Sequence, residues 1–231
     1  MTAEDLLSGL RESNPSQAFQ EIYSDYLGQL AELDLTDLAK RLGLTLLRED
    51  GSGKNSGPEL GIPLFGRIYG VSPQGILPPS GERPLHAEAV LLSRYILLAP
   101  QDPSPQKDWS AFRDFADAAP FAGAFATQVE KGLAAAFSGR PEALERACSD
   151  LRGEDPDMGL AYTLCREFPA LPGIRMVLLF NDADEEFPAE ARILFPDNAA
   201  DYLDMECLAI LGWLLKDFLC LSAGRNGLSL M

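Results

Sequence analysis

The sequence predicts an α+β fold, with an antiparallel sheet built from a hairpin and a three-stranded meander, packed with several helices around a buried central helix. Three observations predict it. Strand-like runs, then helical periodicities, then strands again follow one another along the chain, an order that suits segregated layers better than an alternating βαβ sheet. The segment from Leu160 to Phe195 changes period from helical to alternating or continuous apolar. The segment from Pro84 to Ala99 is apolar on nearly all sides from Val90 onward, the pattern of a helix enclosed by its neighbours.

Taken in order, Asn14-Pro15-Ser16-Gln17 combines a capping residue, Pro at the first helical position and Gln at the third, and so starts a helix. Phe19, Ile22, Tyr23, Tyr26, Leu27 and Leu30 form its apolar stripe. Thr36 is read as the cap of a second helix ending at Gly43, and Leu44 to Leu47 as a strand. Asp50 to Gly61 is a loop by composition. Ile62 to Val71 reads as one strand, pairing with another near Gly75 to Pro78.

Three prolines make residues 100–107 a stiff connector. Trp109, Phe112 and Phe115 fall on one face of an expected helix. Phe121, Phe125, Val129, Leu133 and Phe137 recur every four residues along the next, between Pro120 and Gly139. Pro141 to Leu151 gives a third. The meander follows, with strands near Tyr162 to Phe168, Ile174 to Phe180 and Ala191 to Phe195. An amphipathic helix from about Asp204 to Leu221 closes the fold, and Gly224 ends it. The whole of 1–231 is expected to form a single globular domain, with 1–14 as an N-terminal tail.

Composition narrows the function classes. Nineteen basic residues against thirty-five acidic ones give a net charge of −16, a surface that repels phosphate backbones and anionic lipid. Nucleic acid and membrane are therefore excluded as expected partners, and a protein partner or small molecule remains. Acids at the start of the chain do not suit a signal peptide, and no apolar run reaches membrane-spanning length. Cys148, Cys165, Cys207 and Cys220 have no close pairing, so reduced thiols and a cytoplasmic location are expected.

Chemical motifs are sparse. His86 is the only histidine, so a Ser-His-Asp or Cys-His mechanism would have to use it, and its position suits a surface or capping residue better. Gly51-Ser52-Gly53-Lys54 has Arg48 where a phosphate loop needs Gly, and Asn55 where it needs Ser or Thr. The cysteines are too far apart to share a local metal-binding turn, so no metal and no resident cofactor are expected. The acidic run Asp182 to Glu186 reads as a solvated hairpin tip. Arg67, in an apolar strand between Phe65 and Tyr69, requires an acceptor, and Glu186 and Glu206 are the candidate acids. Arg67, Tyr69, Glu186 and Glu206 thus form the candidate ligand-binding set.

Three blocks carry a family resemblance. They are Leu64 to Val71, Asp184 to Phe195, and Ala199 to Glu206 followed by Leu211-Gly212. Their order and spacing resemble the domain of unknown function family 3786, over about Ala18 to Leu221. The resemblance implies a setting in anaerobic bacteria and archaea, where some members carry an iron–sulfur segment ahead of this domain. Here residues 1–15 contain no cysteine, so no such cluster is expected. Two functions stay open: an accessory or binding domain working in trans with a metallo- or cofactor-dependent enzyme, and a small-molecule enzyme with its site around Arg67, Tyr69 and Glu206.

Overall fold

Two four-stranded antiparallel sheets share one continuous apolar core with the helices between and beside them. The computed structural model describes residues 17–48 and 57–224. The helix start at Asn14 to Ser16, the Phe19 side chain, the expected tail and most of the Gly-rich loop lie outside the described residues.

Helix α1 (Gln17–Leu30) and helix α2 (Leu35–Leu42) come first. The cap of α2 is Asp34, not Thr36: its carboxylate accepts the N–H groups of Thr36 and Asp37. Asp two residues earlier can reach both free amides, whereas Thr36 already lies inside the first turn. Gly43 ends the helix in the left-handed region, as its position suggests.

Strands β1 (Thr45–Arg48), β2 (Glu59–Leu64), β3 (Arg67–Ser72) and β4 (Gly75–Leu77) form the first sheet in that order. The expected single strand from Ile62 to Val71 is in fact a hairpin, with Leu64 opposite Arg67. Phe65 (φ 47°) and Gly66 (φ 77°) make its two-residue turn. Both central residues of this turn need positive φ, and Phe is a costly choice for the first. Burial of the Phe65 ring against Phe218 and a bond from its N–H to the Ala170 carbonyl offset that strain. The Arg152 side chain fills the space that a Cβ on Gly66 would need. On the β4 edge the Tyr23 hydroxyl of α1 accepts the Ile76 N–H.

Helix α3 (His86–Leu97) is buried along most of its length, as its all-round apolar pattern requires. His86, expected at the surface or as a cap, is the first residue of the helix and is itself buried. Trp109 to Phe115 does not form a helix. Trp109–Ala111 is strand β5, which pairs with the last strand of the second sheet, and a short 3₁₀ turn follows.

Helix α4 (Ala119–Ala124), a π-helical stretch (Phe125–Glu130) and helix α5 (Lys131–Phe137) run on as one rod. An apolar repeat of four drifts by about 40° per step on an ideal α-helix. The wider π turn takes up that drift, so Phe125, Val129, Leu133 and Phe137 all stay buried. The Lys216 ammonium donates to the Gln128 carbonyl within that stretch.

Helix α6 (Pro141–Asp150) leads to β6 (Leu164–Leu171), β7 (Ile174–Asn181) and β8 (Glu190–Pro196). These form the meander, extended by β5 into the order β5-β8-β7-β6. Helix α7 (Met205–Ser222) was expected to be amphipathic but is enclosed on nearly every side. It packs against α3, the π stretch and α6. Gly212 permits this: the Phe125 ring occupies the space of its missing Cβ.

Candidate functional site

The side chains singled out from sequence fall in three places. Arg67 and Tyr69 share the inner face of β3. The Tyr69 hydroxyl donates to Glu88 Oε1 at 2.7 Å, and Glu88 Oε2 accepts the Leu85 N–H at 2.8 Å. Glu88 is the third residue of α3, so this carboxylate caps the helix and ties the hairpin to it. Burial, then the adjacent Glu88 charge, pushes the Tyr69 phenol far above its ordinary range. The half-buried Arg67 guanidinium lies over the Phe218 ring, 4.4 Å from its centroid, and beside the Tyr69 hydroxyl.

Glu206 sits in the first turn of α7, apart from that corner. Its neighbours are Asp204, Arg94 and Tyr26. Asp204 caps α7 through the Cys207 N–H at 2.9 Å and pairs with Arg94 at 2.6 Å. Burial, then Asp204, raises the Glu206 carboxyl. Glu186 is exposed in the β7–β8 connection, its N–H donating to Asp184. The arrangement therefore brings Arg67 and Tyr69 together and leaves both acids elsewhere.

That same connection borders a groove of about 880 Å³ between the π stretch with α5 and the β7–β8 end of the second sheet. Ala126, Ala134 and Ala135 line one wall, and Phe187, Pro188 and Ala189 the other. Phe187 is 66% exposed. The mouth is braced by polar bonds: Gly139 N–H to Asp182, Asp182 N–H to the Thr163 hydroxyl, and Thr163 N–H to Asn181.

Glu130 lies in this groove, only 9% exposed and on the last residue of the π stretch. Its Oε1 accepts the Ile193 N–H at 3.2 Å. Among the described residues no Lys or Arg pairs with it within 4 Å. Burial raises its carboxyl above the ordinary range, against the pull of that N–H, Arg192 and Arg113. Arg192 instead bonds Glu190 through two nitrogens, at 3.0 and 2.8 Å. π turns recur at functional sites, and so do carboxyls with raised pKa in clefts. No motif in the sequence singles out Glu130. The signal was present in the four-residue repeat, which puts Glu130 at the edge of the buried stripe.

Cys148, Cys207 and Cys220 are buried, Cys165 is half-buried, and burial pushes the Cys148 thiol up to about 12. Among the described residues no three His, Cys, Asp or Glu side chains converge on a point where a metal ion could sit. None of the described helices is long and apolar enough to cross a membrane.

No curated protein and no solved structure matches the chain. Residues 34–217 match the family described as Domain of unknown function (DUF3786), a span that takes in both sheets, the groove and most of α7. The three sequence blocks that resemble this family fall on the β2–β3 hairpin, on the groove loop with β8, and on the entry to α7, and the chain belongs to the DUF3786 family.

Proposed function

We propose that this chain is a small-molecule-binding domain that serves an enzyme in trans, and that its ligand occupies the groove between the π stretch and the β7–β8 connection. The observation that carries this reading is Glu130, a mostly buried carboxylate in a groove, with no cation paired to it among the described residues. A groove of this volume suits a small ligand, with apolar walls and a few placed polar groups. Its lining offers carboxylates, Lys131, Arg192, Ser138 and Thr163, and neither a histidine nor a cysteine. This supports holding a ligand more than transforming it. The thiols of Cys148, Cys165 and Cys207 support a reducing, cytoplasmic setting.

Native mass spectrometry of protein purified anaerobically tests the reading. Wild type is expected to retain a small molecule that Ala135→Trp loses, with its melting temperature unchanged, because Ala135 lines the groove from an exposed position. A ligand retained equally by that variant places the site elsewhere.

A second reading makes the chain an enzyme working at Arg67 and Tyr69. What supports it is the buried Tyr69–Glu88 bond with a guanidinium alongside. Glu206 and Glu186 would then act only if the ligand reached beyond that corner. Loss of an activity in Tyr69→Phe, measured where the variant is still fully folded, would favour this reading over the first.

A further inference from the structure

Resting on the groove reading above, we infer that the ligand is a compact organic cation, a primary ammonium on a small apolar body, with Glu130 as its counter-charge. The lining carries Glu130, Asp182, Asp184 and Glu190 against Lys131 and Arg192, an excess of acid in a protein that is itself strongly acidic. Arg192 is held by Glu190, so an anion would have to displace that carboxylate and then face Glu130. Asp182 and Asp184 accept backbone N–H groups of Gly139, Ala183, Glu186 and Phe187, bonds that fix the loop and leave the negative charges in place.

Glu130 differs from these. A mostly buried carboxylate is costly to ionise unless a cation comes to it. An ammonium entering the groove would supply that partner. Phe187, an exposed aromatic on the opposite rim, adds apolar surface for the body of the ligand. A bare metal ion fits less well, because no three acids converge there. The three wall alanines leave room for a body larger than the ammonium alone.

Titration of the amide NMR spectrum with phenethylamine, 2-phenylethanol and 3-phenylpropionate tests the inference. Phenethylamine is expected to shift the amides of 126–135 and 187–192 and to bind at least tenfold more tightly than either of the others. Glu130→Gln should remove that preference and leave 2-phenylethanol binding unchanged. In wild type the amine affinity should fall as pH drops through the raised Glu130 pKa, a readout that does not depend on the variant folding. Arg192, Arg113, Lys131, Glu190, Asp182 and Asp184 are the other charges around that carboxylate. Equal or tighter binding of the alcohol or carboxylate, or an amine affinity untouched by Glu130→Gln and by pH, overturns the cation and leaves the groove standing. If none of the probes shifts groove amides, the groove reading fails with it.

Discussion

At the residue scale, Tyr69 and Glu130 are both buried acids, used differently. Tyr69 is satisfied: its proton goes to Glu88, which in turn caps α3. Tyr69→Phe leaves a buried carboxylate oxygen short of a donor and is expected to cost about 1–3 kcal/mol in denaturant melts. Arg67 lies half-buried over Phe218, where a cation–π contact is worth about 0.5–2 kcal/mol, and Arg67→Ala should lose about that much. Glu130 is not satisfied by charge. Its folded pKa is raised, so the folded protein binds that proton more tightly than the unfolded chain does. Its contribution to stability is complete below the ordinary carboxylate pKa and is lost as pH rises through the raised value. Glu130→Gln should therefore flatten that part of the stability–pH curve and leave the variant at least as stable as wild type at neutral pH. Chemical melts at several pH values check this.

At the element scale, the helices show how much was legible in the sequence. The caps at Gly43 and Gly224, the Pro141 start and the all-round apolar α3 were readable, because each rests on local chemistry. Phe65-Gly66 hid a hairpin turn because Phe stands where Asn or Asp is usual, and only tertiary burial of its ring makes that acceptable. Trp109 to Phe115 looked helical from its aromatic spacing, yet pairing with β8 makes Trp109–Ala111 a strand and leaves a 3₁₀ turn after it. The π stretch was visible only as a repeat slightly too long for an α-helix. Asp204 does two jobs at the start of α7, capping it and pairing with Arg94. Burial raises its carboxyl, but the bonds from Arg94 and Cys207 outweigh burial and hold it below the ordinary range. That contribution is present above the ordinary Asp pKa and disappears as pH falls through the lowered one. Both partners are about a third exposed, so solvent screens the pair. Asp204→Ala should cost about 1–2 kcal/mol near neutral pH and less in acid, and Asp204→Asn should recover the capping part of it. Thermal melts at two pH values separate the two roles.

At the scale of the whole molecule, one core joins both sheets, and the groove lies where the rod from α4 to α5 meets the end of the second sheet. The acidic run expected to form a solvated hairpin tip borders it: Asp182 and Asp184 line the mouth, and Glu186 sits in the same loop. Glu130 is 63 residues from Ile193 in the chain, and only the packing of the rod on β8 brings the two together. That long-range closure is why sequence alone does not bring Glu130 to the groove. The net charge of −16 adds a field that draws cations toward such a groove, most strongly at low ionic strength.

As the proposed anchor of a ligand site, Glu130 must titrate differently with and without its ligand. A carbon-13 NMR titration of the Glu130 side-chain carboxyl, with and without phenethylamine, tests it most directly. The free protein should titrate above the ordinary Glu value of about 4.3, and bound amine should pull the midpoint down, since a cation that prefers the carboxylate must release its proton. A midpoint at the ordinary value, unmoved by saturating amine, would contradict the account.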